Sequence, residues 1–144
     1  MAVLACVVLA GCASSPPPPP TFCATLAGAG PQSDALDPDA RGRAVLAFPD
    51  ATSVRFRVQT SGIGEVIATH IHRGGKGENG PMAREINPGF KGDSFEGATT
   101  GLPPELVSEI REHPDRFYLK LHSLRFPGGA IRGQLVPCRE RVER

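Results

Sequence analysis

The sequence has few aromatic residues, a balanced charge and no long apolar run. It contains no tryptophan and one tyrosine, although 40% apolar residues in a chain of 144 are enough for the core of one small domain. No apolar run reaches the roughly 18–20 residues of a membrane-spanning helix. The 16 basic and 15 acidic residues give a net charge of +1. We therefore expect no nucleic-acid partner, because such binding needs a clustered basic face.

Glycine and proline, by contrast, are abundant. The 17 glycines and 15 prolines are spread over the whole length. Both residues are unfavourable inside helices and frequent in turns, so they disfavour long helices and any helical bundle. The composition thus predicts a small, turn-rich, all-β domain.

The N-terminal segment is typical of an export signal. Met1–Ala10 is apolar and about as long as the core of a signal peptide. The following Leu9-Ala10-Gly11-Cys12 resembles the bacterial lipobox, in which the cysteine is acylated and the chain is cut before it. No Lys or Arg precedes the apolar run, which departs from that pattern. The resemblance implies that residues 1–11 are a signal peptide and that Cys12 carries a lipid.

The segment after Cys12 predicts a spacer between a membrane and a domain. Pro16–Pro20 are five consecutive prolines, which form a stiff extended chain. Residues 12–21 are therefore expected to tether the protein to a bacterial envelope membrane without spanning it. Ala13, in place of an aspartate, favours the outer membrane.

Two cysteines remain for the domain itself. Of the four in the chain, Cys6 leaves with the signal and Cys12 is acylated, so Cys23 and Cys138 are left at the two ends of the domain. An exported protein permits a disulfide between them. Two free thiols or a pair of metal ligands are the alternatives.

The segment from residue 22 to residue 138 predicts one domain of short strands. In Ser53–Thr60, apolar and polar residues alternate as in a half-buried strand. The one predicted helix is Pro104–Glu112, between prolines and with Leu106 and Ile110 on one face. Residues 139–144 form a charged tail. The predicted strands cover residues 21–26, 43–48, 53–60, 65–72, 82–86, 94–99, 115–124 and 130–136. This pattern predicts a sandwich or barrel of about 7–8 short strands.

Three histidines are candidate metal ligands. His70 and His72 alternate on one predicted strand, so both project from the same face, and His122 lies within another strand. If the two strands are neighbours, the three imidazoles converge, and imidazole binds copper or zinc well. The alternative is that they hydrogen-bond to backbone and hold the glycine-rich loop Arg73–Pro81.

Arg132 is a candidate for positioning an anion or a loop carboxylate, since it lies on the last predicted strand and shares a face with Gln134. An ordinary structural arginine is the alternative. The sequence holds no G-x-S-x-G motif and no phosphate-binding loop. We therefore assign no catalytic residue and do not expect an enzyme.

Two segments resemble a known family. They are Ala68–Gly74 with Gly77–Pro81, and Phe117–Ser123 with the closing F-P-G-G-A-I-R-G-Q-L of Phe126–Leu135. Together they resemble the CHRD domain, which occurs in chordin and in bacterial secreted proteins. The resemblance covers residues 22–136. It implies an immunoglobulin-like, Greek-key β-sandwich and a role in binding another molecule.

A second resemblance concerns metal chemistry. The order of H-x-H strand, glycine-rich loop, strand histidine and Gly-Gly-x-x-Arg is similar to the copper site region of Cu/Zn superoxide dismutases. It implies His70, His72 and His122 as copper ligands and Arg132 as an anion guide. Residues 73–99 contain no histidine, so the bridging and zinc ligands of those enzymes are missing.

The sequence leaves two hypotheses. The first is a lipid-anchored, non-catalytic module of the bacterial envelope that binds a protein or another envelope ligand. The second is a copper- or zinc-binding protein that uses His70, His72 and His122.

Overall fold

The computed structural model describes residues 17–28, 37–86 and 92–142. In these residues the chain forms nine strands, one α-helix and a 3-10 turn. The strands are β1 (Thr21–Ala27), β2 (Arg41–Ala47), β3 (Val54–Ser61), β4 (Val66–Arg73), β5 (Met82–Ile86), β6 (Ser94–Thr99), β7 (Phe117–Ser123), β8 (Ile131–Gln134) and β9 (Val136–Pro137). Helix α1 is Pro104–Glu112, and the 3-10 turn is Pro114–Arg116.

All nine strands belong to one antiparallel sheet. Its order is β5-β4-β7-β8-β1-β2-β3-β6, and β9 pairs with β1. The edge strands β5 and β6 face each other across a cleft, which Arg84 spans by donating a hydrogen bond to the carbonyl of Thr100 at 3.1 Å. The sheet is thus curled almost to closure. The all-β prediction is confirmed, and the crossing connections are consistent with a Greek-key sandwich.

Alternating burial explains why the sheet curls around one core. On β3, the side chains of Val54, Phe56 and Val58 are buried, whereas Arg55 and Arg57 lie on the outer face. Burying these apolar side chains is the main favourable term in folding. One continuous apolar cluster fills the inside of the curl, with contributions from each strand from β1 to β8 and from α1.

Helix α1 has the predicted bounds. Pro103 precedes it and Pro104 begins it, where a missing N–H costs nothing. The helix buries Leu106, Val107 and Ile110, while Arg111 donates hydrogen bonds to the carbonyls of Phe48 and Asp50. No helix in the described part of the chain is long and apolar enough to cross a membrane.

The last predicted strand is divided into two. Strand β8, which pairs with β7, ends at Gln134, and β9, which pairs with β1, begins at Val136. Between them, the amide of Leu135 donates to the carbonyl of Phe117 at 2.9 Å. The side chain of Leu135 is then fully buried. Strand β7 begins two residues later than the predicted strand 115–124, because the 3-10 turn that starts at Pro114 includes residues 115 and 116.

A disulfide joins the two ends of the domain. Cys23 on β1 is bonded to Cys138, 115 residues later. The amide of Cys138 donates to the carbonyl of Thr21, and that of Phe48 donates to the carbonyl of Pro20. Pro17–Pro20 are exposed. The predicted signal peptide and Cys12 lie outside the described residues.

Candidate metal centre

The three predicted histidines lie together on the outer face of the sheet. Strands β4 and β7 are neighbours, and their register places His70 opposite Lys120 and Ala68 opposite His122. His70, His72 and His122 each offer a nitrogen, and these nitrogens all lie within 4.8 Å of one another. Within the described residues, this is the one group of three or more histidine, cysteine or acidic side chains close enough to hold a metal ion.

Backbone carbonyls hold two of the rings through their Nδ1 atoms. The Nδ1 of His72 lies 3.0 Å from the carbonyl oxygen of Gly80, and that of His122 lies 2.8 Å from the carbonyl oxygen of Pro127. A carbonyl oxygen only accepts, so each Nδ1 carries the proton and each Nε2 keeps its lone pair. Metal-binding histidines typically make such a hydrogen bond through the ring nitrogen that does not bind the metal.

The free lone pairs are buried and unpaired. The Nε2 atoms of His72 and His122 are both buried, and neither has a hydrogen-bond partner. A buried nitrogen without a partner is costly. A metal ion fits this arrangement, although nitrogens bound at about 2.0–2.1 Å lie nearer to each other than 4.8 Å. Ring rotation would have to draw the cluster together.

The surroundings keep the histidines neutral. Burial lowers the pKa of His70, His72 and His122 below the ordinary value, and the nearby positive charge of Lys120 lowers each pKa further. Opposing contributions come from Glu85 for His70 and from the backbone carbonyls for the other two. Neutral imidazole is the form that binds metals, so the cluster is ready for an ion near neutral pH.

Arg132 and Gln134 hold the glycine-rich loop against the sheet. Arg132 donates to the carbonyls of Glu78 and Gly75 at 2.7 and 3.4 Å, and to the side-chain oxygen of Asn79. The Nε2 of Gln134 lies within 2.6–3.0 Å of the carbonyl oxygens of Gly74, Asp115 and Phe117. The contacts of Arg132 are thus to loop carbonyls and an amide, not to a loop carboxylate.

Tyr118 links the loop to the histidines. Its ring stacks on His72 with centres 5.1 Å apart, and the guanidinium of Arg132 lies 3.6 Å from its centre. Its hydroxyl accepts a hydrogen bond from the amide of Gly80. Tyr118 is therefore 1% exposed although it lies on the outer face.

The sequence analysis did not single out Tyr118, Gln134 or Lys120. The available signal was the alternation of β7 and β8, which places these residues on the same face as His122 and Arg132. What they contact depends on which strands are neighbours, and one strand's pattern does not contain that information.

The comparisons with known proteins give one result. The family model of the CHRD domain matches residues 22–135, a range that runs from β1 to the residue after β8 and includes the histidine cluster and the loop. No curated protein and no solved structure matches the chain. Because the match covers most of the chain, the protein belongs to the CHRD domain family.

Proposed function

We propose that this protein is a non-catalytic binding module of the bacterial cell envelope. Its binding element is residues 74–80 of the glycine-rich loop, the part that lies beyond β4, together with the strands that hold it. The membrane anchor is a lipid on Cys12, with the outer membrane as the favoured location. The ligand is a protein or another component of the envelope.

The observation that supports this proposal is the way the loop is held. Arg132, Gln134, Tyr118 and His72 all bond to its backbone, whereas the side chain of Lys76 is exposed. These contacts to main-chain atoms, together with bonds to the side chains of Glu78 and Asn79, fix the shape of the loop and leave the side chain of Lys76 outside. A loop ordered in advance loses little entropy when it binds, which favours affinity.

Site-specific photo-crosslinking tests the loop as a binding element. A crosslinking residue at Lys76, in the intact cell envelope, should give a discrete adduct. The same residue at Glu105, exposed on α1, is the matched control and should give none. Arg132→Ala should weaken the Lys76 adduct by releasing the loop. Identical adducts from both positions would contradict the proposal.

Detergent partition tests the anchor. The processed protein should enter the detergent-rich phase of Triton X-114. The chain from residue 12 with Cys12→Ser, which lacks both the lipid and the apolar signal segment, should enter the aqueous phase. Aqueous partition of the unsubstituted protein would contradict the lipid anchor, but it would not contradict the proposed role of the loop in binding.

A second candidate function is binding of one copper or zinc ion by His70, His72 and His122. It is favoured by one specific observation, the two buried and unpaired Nε2 atoms beside a third imidazole. Three neutral imidazoles leave open positions on the metal. Such an ion would either hold a ligand at the loop or support redox chemistry.

Metal analysis tests this second candidate. Protein loaded with copper or zinc and then desalted should retain about one ion per chain by mass spectrometry, the occupancy of a single three-ligand site. His70→Ala should lose the ion, whereas His113→Ala removes the one histidine outside the cluster and should keep it. Equal metal content in both variants would exclude the cluster as the site.

A further inference from the structure

A second outer face, on β2 and β3, is strongly basic. Arg55 and Arg57 on β3 alternate with buried residues and so point away from the core. The register of β2 with β3 places Arg41 and Arg43, both exposed, on the same side. The tail crosses the same face: Glu140 forms an ion pair with Arg43, and Arg57 donates to the backbone carbonyl of residue 141. We call these four arginines, Glu96 and residues 139–141 the arginine face.

The arginine face concentrates positive charge in a nearly neutral protein. It has six arginines, counting Arg139 and Arg141, and two glutamates, which gives a formal charge of +4 against +1 for the whole chain. Two ion pairs partly neutralise it, Arg43 with Glu140 and Arg57 with Glu96. Among the described residues, no ion pair or side-chain hydrogen bond involves Arg55. Arg55 is half-buried, and the exposed arginines of the face are Arg41, Arg43, Arg139 and Arg141.

The predicted tether leaves the domain beside this face. Thr21 begins β1 and pairs with Ala47, which in turn pairs with Arg55, so two strand spacings of about 4.8 Å separate the tether from Arg55. The segment from Cys12 to Pro20 would span about 25 Å at the ~3.1 Å per residue of a polyproline chain. A lipid on Cys12 thus keeps the arginine face close to the bilayer.

The histidine cluster lies away from this face. In the strand order β5-β4-β7-β8-β1-β2-β3-β6, the β4–β7 pair and the β2–β3 pair are about half a circuit apart. Because the sheet is curled almost to closure, the outer faces of these two pairs point in roughly opposite directions. An orientation that places the arginines on a membrane presents the loop and the histidines to the solvent.

We propose that the arginine face docks on an anionic phospholipid surface and orients the domain on the membrane that holds its lipid. This inference rests on the proposed lipid anchor. Guanidinium groups bind phosphate strongly, with paired hydrogen bonds as well as charge. Clustered basic residues attract a protein to an anionic membrane over distances within a Debye length. The lipid supplies proximity, and the arginines supply orientation.

Vesicle sedimentation tests the docking separately from the lipid. The chain from residue 12 with Cys12→Ser, which retains every described residue, is mixed with phosphatidylcholine vesicles with or without phosphatidylglycerol. We expect binding only to the anionic vesicles, with loss at high salt. Arg55→Glu with Arg57→Glu should lower the partition coefficient on the order of tenfold or more. Arg55→Gln with Arg57→Gln should lower it less, and circular dichroism checks the fold of each variant.

A matched charge reversal serves as the control. Lys76→Glu with Arg125→Glu makes the same change in net charge on residues outside the arginine face, and should keep most of the binding. Equal binding to neutral vesicles, no binding to either kind, or an equal loss in both double reversals would overturn the proposal. Tighter binding to a DNA oligonucleotide than to anionic vesicles would also overturn it, since the face would then be a nucleic-acid-binding surface. None of these results depends on whether Cys12 is acylated.

Discussion

At the scale of single residues, the closing turn shows how small side chains build the candidate site. Gly129 has φ of +134°, and a Cβ added there would lie 2.0 Å from Cε of Lys120. Lys120 therefore lies across the space that a Cβ at this position would fill. The same turn supplies the Pro127 carbonyl that fixes the ring of His122. The F-P-G-G-A segment thus positions both a cation and an imidazole.

Gly129→Ala should be destabilising for two reasons. Its backbone conformation is one that L residues rarely adopt, which costs roughly 1–3 kcal/mol, and the added methyl group must displace Lys120. Gly128→Ala is the matched control, because a Cβ there meets nothing within 4 Å. Chemical denaturation should show a lower free energy of unfolding for Gly129→Ala and little change for Gly128→Ala. Equal effects would contradict this account of the turn.

The lowered pKa values of the cluster predict a direction for the pH dependence of stability. In the unfolded chain the pKa of each histidine returns to about 6.5. As the pH falls below that value, the unfolded chain therefore binds more protons than the folded one. This contribution to stability is present above pH ~6.5 and is lost as the pH falls through the folded pKa values. The melting temperature of chelator-treated protein should therefore drop on acidification from about pH 7.

A triple variant separates the cluster from other acid-sensitive groups. His70→Gln, His72→Gln and His122→Gln together should flatten the melting temperature between about pH 7 and pH 5 relative to the unsubstituted protein. His113→Gln serves as the control for losing a histidine elsewhere. A triple variant with an unchanged pH profile would show that the cluster does not contribute.

At the scale of elements, local patterns predicted most of the fold. The alternation in β3 and β7 and the prolines around α1 give nearly the observed bounds, because these signals depend on burial and turn chemistry within one segment. Strand order did not follow from them. The pairing of β4 with β7, which joins segments about fifty residues apart, is what brings His122 to His70. From the sequence alone, the three histidines converge only if these two strands are neighbours, and the sequence does not show that they are.

Gln134 connects three elements, and the alternation of β8 alone did not identify these contacts. Its Nε2 donates among three carbonyl oxygens from the loop, the 3-10 turn and β7. Gln134→Glu keeps the shape but replaces the donor with an acceptor, and should destabilise the fold by about 1–3 kcal/mol. Amide hydrogen exchange in residues 74–80 should also become faster.

The same substitution at Gln59 is the matched control. Gln59 is exposed on the outer face of β3, so Gln59→Glu should change the free energy of unfolding by no more than about 0.5 kcal/mol. If Gln134→Glu changed neither stability nor loop exchange, the loop would not depend on β8 for its position.

At the scale of the whole molecule, the disulfide holds together the parts that the proposals use. It fixes the C-terminal segment to β1 beside the start of the tether, and the tail then continues across the arginine face. The domain between Cys23 and Cys138 contains the loop, the histidines and the helix. One bond thus closes the chain around nearly the whole CHRD domain and sets where the basic tail lies.

Loss of this bond should lower stability mainly by freeing the unfolded chain. The cysteines are 115 residues apart, and closing a loop of that length stabilises a protein by up to about 4–5 kcal/mol in the chain-entropy model. Cys23→Ala with Cys138→Ala should therefore lower the melting temperature, and a reducing agent should lower it similarly in the unsubstituted protein.

The double variant is the control for the reductant, because it should show no further change. A reductant effect that persists in the double variant would mean that the stabilisation does not come from this disulfide. Cys23 is buried but lies outside the continuous apolar cluster, so we expect the double variant to remain folded at low temperature. It would then also show whether vesicle binding needs the tail to be fixed on the arginine face.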